Sequence, residues 1–281
     1  LAEYDDKVKE NQTDKNKKVI YLYTTNQEEQ FSYIEAAKAK GYDVLIMDGQ
    51  LDAHFINHLE QKLTDVSFVR VDSNVVDKLI EKDDNKAVSI SAEEQAELSP
   101  VISSILPKEN VNYLVMFEEL SADANPMIIT QNEFMRRMKD MSAMSGGQAS
   151  FYGDLPESYN LVVNTSHPLI QQVIDSKKDA LSEEMDKFNQ EIKPLEDEKA
   201  ALEKLKEGKK EEEIDQVEKD KLEEVSKSIE AVQAKKTKKL EAYGKDNKLV
   251  KQLVDLALLA NNMLKGEDLN RFVKRSVDLI K

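Results

Sequence analysis

The chain has 281 residues, of which 40% are hydrophobic and 34% are charged, and its formal net charge is -15. This length allows two domains with hydrophobic cores, and the high charged fraction favours long solvated helices. The acidic balance argues against nucleic acid and against an anionic membrane as partners. The chain has no cysteines, which excludes disulfides, thiolate zinc sites and cysteine nucleophiles and leads us to expect a cytoplasmic protein.

No apolar run reaches the length of about 18 residues that a membrane-spanning helix needs. The sequence begins at Leu1 with no initiator methionine and no apolar leader. We therefore expect a fragment of a longer protein, whose upstream functions would not be encoded here.

Residues 1–75 alternate between strand-like and helix-like segments. Short apolar runs rich in β-branched and aromatic residues predict strands at 19–23, 44–47 and 66–71. Helical spacing lies between these runs, and Gly41 is predicted to end the first helix. Strands that are apolar throughout, in β-α-β-α-β order, predict a small three-stranded parallel α/β/α domain. A linker is predicted at 76–92.

Residues 93–281 are predicted to form a C-terminal α+β domain. A helix is expected at 93–106. Residues 111–117 and 127–129 predict two strands that pair with each other, and 161–163 predicts a third strand. The chain as a whole is thus predicted to have a mixed α+β fold.

Residues 175–245 differ in character, because apolar residues recur there at heptad spacing among Glu and Lys. Two such arms that meet at Gly208 predict a long antiparallel helical hairpin inserted in the second domain. Pro194 is predicted to kink the first arm or to start a helix. A charge-rich solvated coil of this kind is by default a structural insertion.

A short segment at 127–144 contains five of the nine methionines. At about 100° per residue, its apolar side chains share or flank one face of a helix. Thioethers are flexible and polarizable, so this face suits partners of varied shape. The alternative is an ordinary core-facing helix. The predicted binding residues are Phe134, Met135, Met138, Met141 and Met144.

The last two predicted helices carry more apolar surface than a single copy would cover. Residues 249–264 are hydrophobic on nearly all sides up to Gly266, which is predicted to end that helix, and residues 268–280 are apolar along one face. A second copy would complete a four-helix bundle, whereas burial against the chain's own second domain is the alternative. The predicted dimer-interface residues are Leu249, Leu253, Leu256, Leu259, Leu269, Phe272, Val273 and Val277.

Catalytic motifs are not found in the sequence. It contains no glycine-rich phosphate loop and no nucleophile elbow. His54 and His58 stand at i and i+4 but have no third ligand in view, so we expect neither a metal site nor catalytic residues. Two alternatives remain open: a small metal-dependent enzyme that uses this histidine pair, and a structural coiled-coil adaptor built around the hairpin.

Four stretches of sequence carry a resemblance that keeps the same order along the chain. They are EYDDKVKENQ at 3–12 with KVIYLYT at 18–24, KGYDVLIM at 40–47 with Leu51-Asp52, VDLALLA at 254–260, and DLNRFVKR at 268–275. Together they resemble the end of the middle domain and the C-terminal domain of the bacterial heat-shock-protein-90 chaperones. The long hairpin departs from the better-known bacterial pattern, so the resemblance implies no role for it.

The resemblance implies a homodimeric, ATP-dependent chaperone that binds partly folded client proteins. ATP and Mg would bind in domains that precede the first residue, so no cofactor is expected in this fragment. Family members dimerise through their last helices, which match 249–264 and 269–280. They contact clients through an amphipathic helix that matches 132–144. A second client-contact position of the family falls at His54 beside Phe55.

Overall fold

A computed structural model shows an α+β protein with two three-stranded sheets and several long helices, which confirms the predicted fold class. The structure describes residues 2–49, 51–82, 88–108, 111–131, 136–137, 157–206 and 216–280. The chain divides into two compact units. Unit 1 comprises Leu1–Ser91, Leu106–Ile170 and Gln252–Lys281, and unit 2 comprises Ala92–Ile105 and Gln171–Lys251. The domain boundaries drawn from the sequence stay a prediction.

The first sheet is parallel, as predicted, with strand order β2-β1-β3. Its elements are α1 (Ala2–Val8), β1 (Val19–Thr24), α2 (Phe31–Ala39), β2 (Val44–Ile46), α3 (Asp52–Lys62), β3 (Val66–Arg70) and α4 (Val76–Leu79). The central strand is buried on both faces. Leu22 packs with Ile34 of α2 on one face, and Tyr21 packs with Ile56 of α3 on the other. This two-sided burial explains why the strands are apolar throughout rather than alternating.

Gly41 ends α2 as the sequence predicts. It has a φ of 77°, a left-handed conformation that favours glycine. The backbone N–H of Tyr42 donates to the carbonyl oxygen of Ala37 at 3.0 Å, and that of Gly41 donates to Lys38 at 2.9 Å. These two bonds close the helix with a Schellman motif.

The second sheet contains β4 (Val111–Glu118), β5 (Met127–Thr130) and β6 (Glu157–Asn164), in the order β4-β6-β5. The predicted pairing of the first two strands is wrong, because β6 lies between them. It pairs parallel with β4 and antiparallel with β5. The most apolar stretch of the three strands, Leu161 to Val163, occupies the centre, where burial is greatest.

Unit 2 combines α5 (Ala92–Ser103) with most of α6 (Pro168–Lys206) and with α7 (Gln216–Asp246). Side-chain contacts between described residues link the two long helices, among them Glu184 with Lys239 at 2.8 Å, Asn189 with Lys236 at 2.7 Å, and Glu198 with Lys221 at 3.1 Å. Residue numbers rise along one helix while they fall along the other. The predicted antiparallel pair is therefore confirmed, although its connection at Gly208 lies outside the described residues.

Neither internal proline interrupts its helix. Pro194 lies well inside α6, so it does not start a helix, and Pro100 lies inside α5. Packing of the helices outweighs the missing N–H donor at both positions.

The terminal helices are α8 (Lys248–Ala260) and α9 (Gly266–Ile280). The prediction that Gly266 ends the first of them is wrong, because α8 ends at Ala260 and Gly266 begins α9. Asn262, with a φ of 55°, turns the chain instead. The N–H of Met263 then donates to the carbonyl of Leu258 at 2.9 Å, the bond that closes a Schellman motif.

Helix α5 packs closely against α7, a contact that sequence reasoning did not anticipate. Both helices bury apolar side chains, among them Leu98, Val101 and Ile229. The two backbones lie close together at Gly244, where an added Cβ would lie 2.2 Å from the carbonyl oxygen of Val101 and 2.5 Å from Ser104 Oγ. Only glycine fits between these backbones.

A buried charge cluster also joins the three helices of unit 2. Glu97 of α5 accepts hydrogen bonds from Lys177 of α6 and Lys236 of α7, the latter at 2.9 Å. The side chains of Lys177 and Glu97 are only 3% and 9% exposed. Burial acts to raise the pKa of Glu97, but the two ammonium groups outweigh it and hold this pKa below its usual value.

Gly244→Ala is expected to lower the free energy of unfolding by about 1–3 kcal/mol, because the new methyl group clashes with backbone. In open space the same change would stabilise a helix by about 1 kcal/mol, so the sign of the effect tests the close approach. Urea unfolding followed by circular dichroism measures it. Ala242→Ser, at an exposed position of the same helix, is the control. Stabilisation by Gly244→Ala would contradict the packing.

Glu97→Gln is expected to cost about 3–5 kcal/mol at pH 7, because it leaves the buried ammonium of Lys177 and the partly buried one of Lys236 without their carboxylate. The pKa of Glu97 is lowered from 4.5, so its stabilisation is complete above pH 4.5 and is lost as pH falls through the folded-state value. The difference between wild type and variant should therefore shrink in acid.

The control for Glu97→Gln is Glu94→Gln. Glu94 pairs with the more exposed Lys178 at 2.5 Å, and loss of such a surface pair should cost no more than about 1 kcal/mol. Denaturant titrations from pH 7 down to pH 3 provide both comparisons. Equal losses in the two variants, or a Glu97→Gln loss that does not vary with pH, would contradict the assigned role of the cluster.

Candidate functional site

The residues predicted to bind client proteins lie mainly in the Met-rich segment, which comprises residues 127–144. Phe134, Met135, Met138, Met141 and Met144 are all outside the described residues, so their roles stay predictions. Phe55, predicted to contribute a second contact, lies on α3 with half of its side chain (50%) exposed.

Two arginines of the Met-rich segment, Arg136 and Arg137, are described. The guanidinium of Arg136 is buried and donates to the hydroxyl oxygen of Tyr23 on β1 at 2.6 Å. Arg137 forms two hydrogen bonds to the carboxylate of Glu60 on α3, and it donates to the carbonyl oxygen of Phe68 on β3 at 2.7 Å. Charge-assisted bonds of this kind are strong and directional, so they fix this point of the segment against the first sheet.

The sequence pattern of the segment does not indicate the partners of these two arginines. The carboxylate of Glu60 is held in position by a further hydrogen bond, because its Oε1 also accepts the backbone N–H of Phe68 at 2.9 Å. A charged residue on an otherwise amphipathic helix carries no sequence signal for a partner nearly eighty residues away in the chain. Only the tertiary structure reveals this pairing.

The predicted dimer-interface residues fall into three groups by exposure. Leu253 (1% exposed) and Phe272 (8%) are buried by the chain itself. Leu249 and Leu269 are half-buried. Four side chains remain substantially exposed: Leu256 (42%), Leu259 (36%), Val273 (48%) and Val277 (46%).

Polar contacts hold α8 and α9 together. Arg275 donates to Gln252 Oε1 at 2.9 Å and to the carboxylate of Asp255, and Gln252 Nε2 donates to Ser276 Oγ at 2.8 Å. Burial raises the pKa of Asp255, an effect that the nearby guanidinium opposes without cancelling it. The helix pair thus has defined internal contacts, while four of its apolar side chains remain exposed on the surface.

On both terminal helices, the exposed apolar residues follow helical spacing. Leu256 and Leu259 stand three apart on α8, and Val273 and Val277 stand four apart on α9. Each pair therefore lies on one side of its own helix. Large apolar side chains that recur on one side of an exposed helix are typical of association surfaces.

His54 and His58, the pair considered as metal ligands in the alternative prediction, are both exposed on α3. Within the described ranges, no three His, Asp or Glu residues are grouped as metal ligands would be. None of the helices in those ranges combines the length and the hydropathy that a membrane crossing needs.

Comparison with known proteins agrees with this architecture. Residues 1–195 match the family described as Hsp90 protein. The chain is 48% identical over all of its 281 residues to Chaperone protein htpG of Bacteroides fragilis strain YCH46, of which it covers 41%. It is 46% identical over the same length to Chaperone protein HtpG of Bacteroides thetaiotaomicron, and it covers 41% of that protein. For Chaperone protein HtpG of Porphyromonas gingivalis strain ATCC 33277, the identity is 42% over 275 residues, 96% of this chain and 39% of the relative.

The chain therefore spans about two fifths of the length of these relatives. The resemblance inferred from four short sequence stretches is confirmed across the whole chain. This protein belongs to the HSP90 family, and its sequence is similar to part of the HtpG chaperones.

Proposed function

We propose that this chain is the C-terminal part of a cytoplasmic, ATP-dependent chaperone, in which it forms a homodimer and holds partly folded client proteins. The four exposed apolar side chains of α8 and α9 are the observation that carries the proposal. ATP and Mg would be bound by portions of the full-length protein that this chain does not span, so the chain itself would contribute binding surfaces rather than catalysis.

Homodimer formation would cover those side chains with their counterparts in a second copy. Val273 and Val277 on α9 and Leu256 on α8 are each between 42% and 48% exposed. A two-fold axis beside the helix pair would bring the same residues of two copies together, because a symmetric interface is self-complementary. Two helices from each copy would then form a four-helix bundle.

Client binding would use the Met-rich face together with Phe55. On a helix Arg136 would stand about 160° from both Phe134 and Met138, and its buried guanidinium is bonded to the first sheet. An anchored polar side supports the prediction that the apolar side is the one offered to clients. Two copies that face a common cleft would add avidity to contacts that are individually weak.

Val273→Asp combined with Val277→Asp is expected to convert the dimer into a monomer, because two charges per copy would have to be buried in the interface. Light scattering across a concentration series should show the molar mass falling from twice 32.0 kDa to that of the single chain. Lys274→Asp, at an exposed position between the two valines, is the matched control and should leave the dimer intact. A dimer that persists in the double variant would refute the interface.

Replacing Phe134, Met138 and Met141 by Ser is expected to weaken holding of a chemically unfolded protein by roughly tenfold or more, because each change removes apolar contact area. The measurement is suppression of client aggregation by light scattering at several chaperone concentrations.

The control replaces Leu205 and Val217 by Ser, since both are exposed apolar residues of the long helices. If the control loses as much holding activity as the triple variant, or if the triple variant loses none, the Met-rich face is not the client surface.

A further inference from the structure

A polar cavity of about 420 Å³ opens at the carboxyl end of the first sheet, within unit 1. Thr25 and Asn26, which follow β1, and Asp72, which follows β3, form part of its wall. From the central β1 the chain crosses to β2 on one side through α2, and from β2 it returns through α3 to β3 on the other side. The cavity therefore lies at the topological switch point, the place where open parallel sheets bind ligands.

One buried hydroxyl in the cavity wall is left without a partner. Thr130, the last residue of β5, is 1% exposed and lines the cavity. Among the described residues, its Oγ1 has no hydrogen-bond partner. Burying a hydroxyl without a partner costs free energy, and a hydrogen bond with an occupant of the cavity would offset that cost.

Several side chains that line the cavity carry hydrogen-bond donors. Arg70 is oriented by Asp72, to which its Nη2 donates at 2.8 Å, and by the Oε1 of Gln131 at 3.0 Å. Gln30 accepts through its Oε1 from the hydroxyl of Thr24 at 2.7 Å and from the backbone N–H of Thr25 at 3.0 Å. These bonds engage the side-chain oxygens of Gln30 and Gln131 and so fix the orientation of both amides. The NH₂ group of each amide takes no part in these bonds and can act as a donor.

Helix α2 adds a partial positive charge to this set, because its first turn follows Gln30 and includes Tyr33, both of which line the cavity. Arg136 supplies a second guanidinium to the wall. Three carboxylates also line it. Asp72 is neutralised by Arg70, the Oε2 of Glu157 accepts the hydroxyl of Tyr159 at 2.8 Å, and Glu29 is exposed.

Both phenols of the wall remain protonated at physiological pH. Burial raises the pKa of Tyr33, and burial together with the hydrogen bond to Glu157 raises that of Tyr159. The Tyr33 hydroxyl lies 2.8 Å from Oδ1 of Asn261, just after α8. The cavity is thus lined by groups from the first sheet, the second sheet and the turn after α8.

We propose that this cavity binds a compact solute that carries an oxyanion, either a carboxylate or a phosphate. Arg70, Thr130, Gln30 and Gln131 supply the hydrogen bonds to the oxyanion, and the first turn of α2 adds its dipole. The cavity volume falls within the range of small-molecule sites. Because segments distant in the sequence surround it, an occupant stabilises unit 1 as a whole.

The test uses the whole chain in a buffer without phosphate or carboxylate. Thermal unfolding and calorimetric titration are carried out with sodium phosphate and with sodium citrate, and sodium chloride at equal ionic strength is the reference. At least one probe is expected to raise Tm above the chloride reference with saturation. Saturation by phosphate alone, by citrate alone or by both supports the site and identifies which oxyanion it takes.

Thr130→Val is the decisive variant, because it keeps the shape of the side chain and removes only the unpartnered hydroxyl. Its Tm in chloride is expected to equal or exceed that of wild type, while the dissociation constant of the active probe rises about tenfold, the cost of one hydrogen bond to a charged group. Gln131→Met, which leaves the Arg70–Asp72 pair in place, should weaken binding similarly. Thr64→Val, at an exposed position, is the control.

Two results would overturn the proposal. The first is that neither probe raises Tm beyond the chloride reference. The second is that Thr130→Val and Gln131→Met bind the active probe as tightly as the Thr64→Val control, since the probe would then occupy another part of the surface.

Discussion

Guanidinium groups fasten the stretch that follows β5 to the first sheet, and the main functional features of unit 1 depend on this attachment. Arg70 holds Asp72 and Gln131, and Arg137 holds Glu60 and a backbone carbonyl of β3. All these groups are partly buried, where a charge is tolerated only if its hydrogen bonds are satisfied. This attachment lies within the Met-rich segment, and the polar cavity lies beside it. A chain that lost the attachment would lose the position of both.

Much of the fold could be predicted from local sequence, because the spacing of apolar residues indicates which faces of a strand or helix are buried. The three strands of the first sheet are apolar on both faces, so their number, parallel arrangement and covering helices followed from the pattern. Partner choice is not local. The alternation of 111–117 predicts a strand but does not say that β6, some forty residues later, will pair with it. In the same way Glu97 looks like any helical glutamate until Lys177 and Lys236 enclose it. The wall of the cavity comes from five segments that are distant in the sequence, and no spacing rule brings these together.

The terminal helices show how far hydrophobicity alone can be interpreted. The apolar character of α8 predicted that it needs cover, and the chain supplies most of that cover itself, since Leu253, Val254 and Leu258 are at most 2% exposed. What remains for a second copy is a smaller set, two residues on each helix. The interface proposed here is therefore a patch on an already stable pair of helices rather than the core that makes them fold. Variants on this patch can therefore change the association of two copies without unfolding the chain, so that molar mass reports association alone.

The charge cluster around Glu97 has a consequence for how the long helices respond to salt. Ions screen solvent-exposed pairs over a Debye length of about 8 Å at physiological ionic strength and about 3 Å at 1 M, whereas buried pairs are screened much less. Lys221 and Glu198, farther along the arms, have side chains 56% and 42% exposed, while those of Lys177 and Glu97 are almost fully enclosed. Concentrated salt should thus weaken the contacts between α6 and α7 near Glu198 and Lys221, and it should leave the contacts around Glu97 and Lys177 intact. Separation of the two helices would then start at the end that contains the exposed pair.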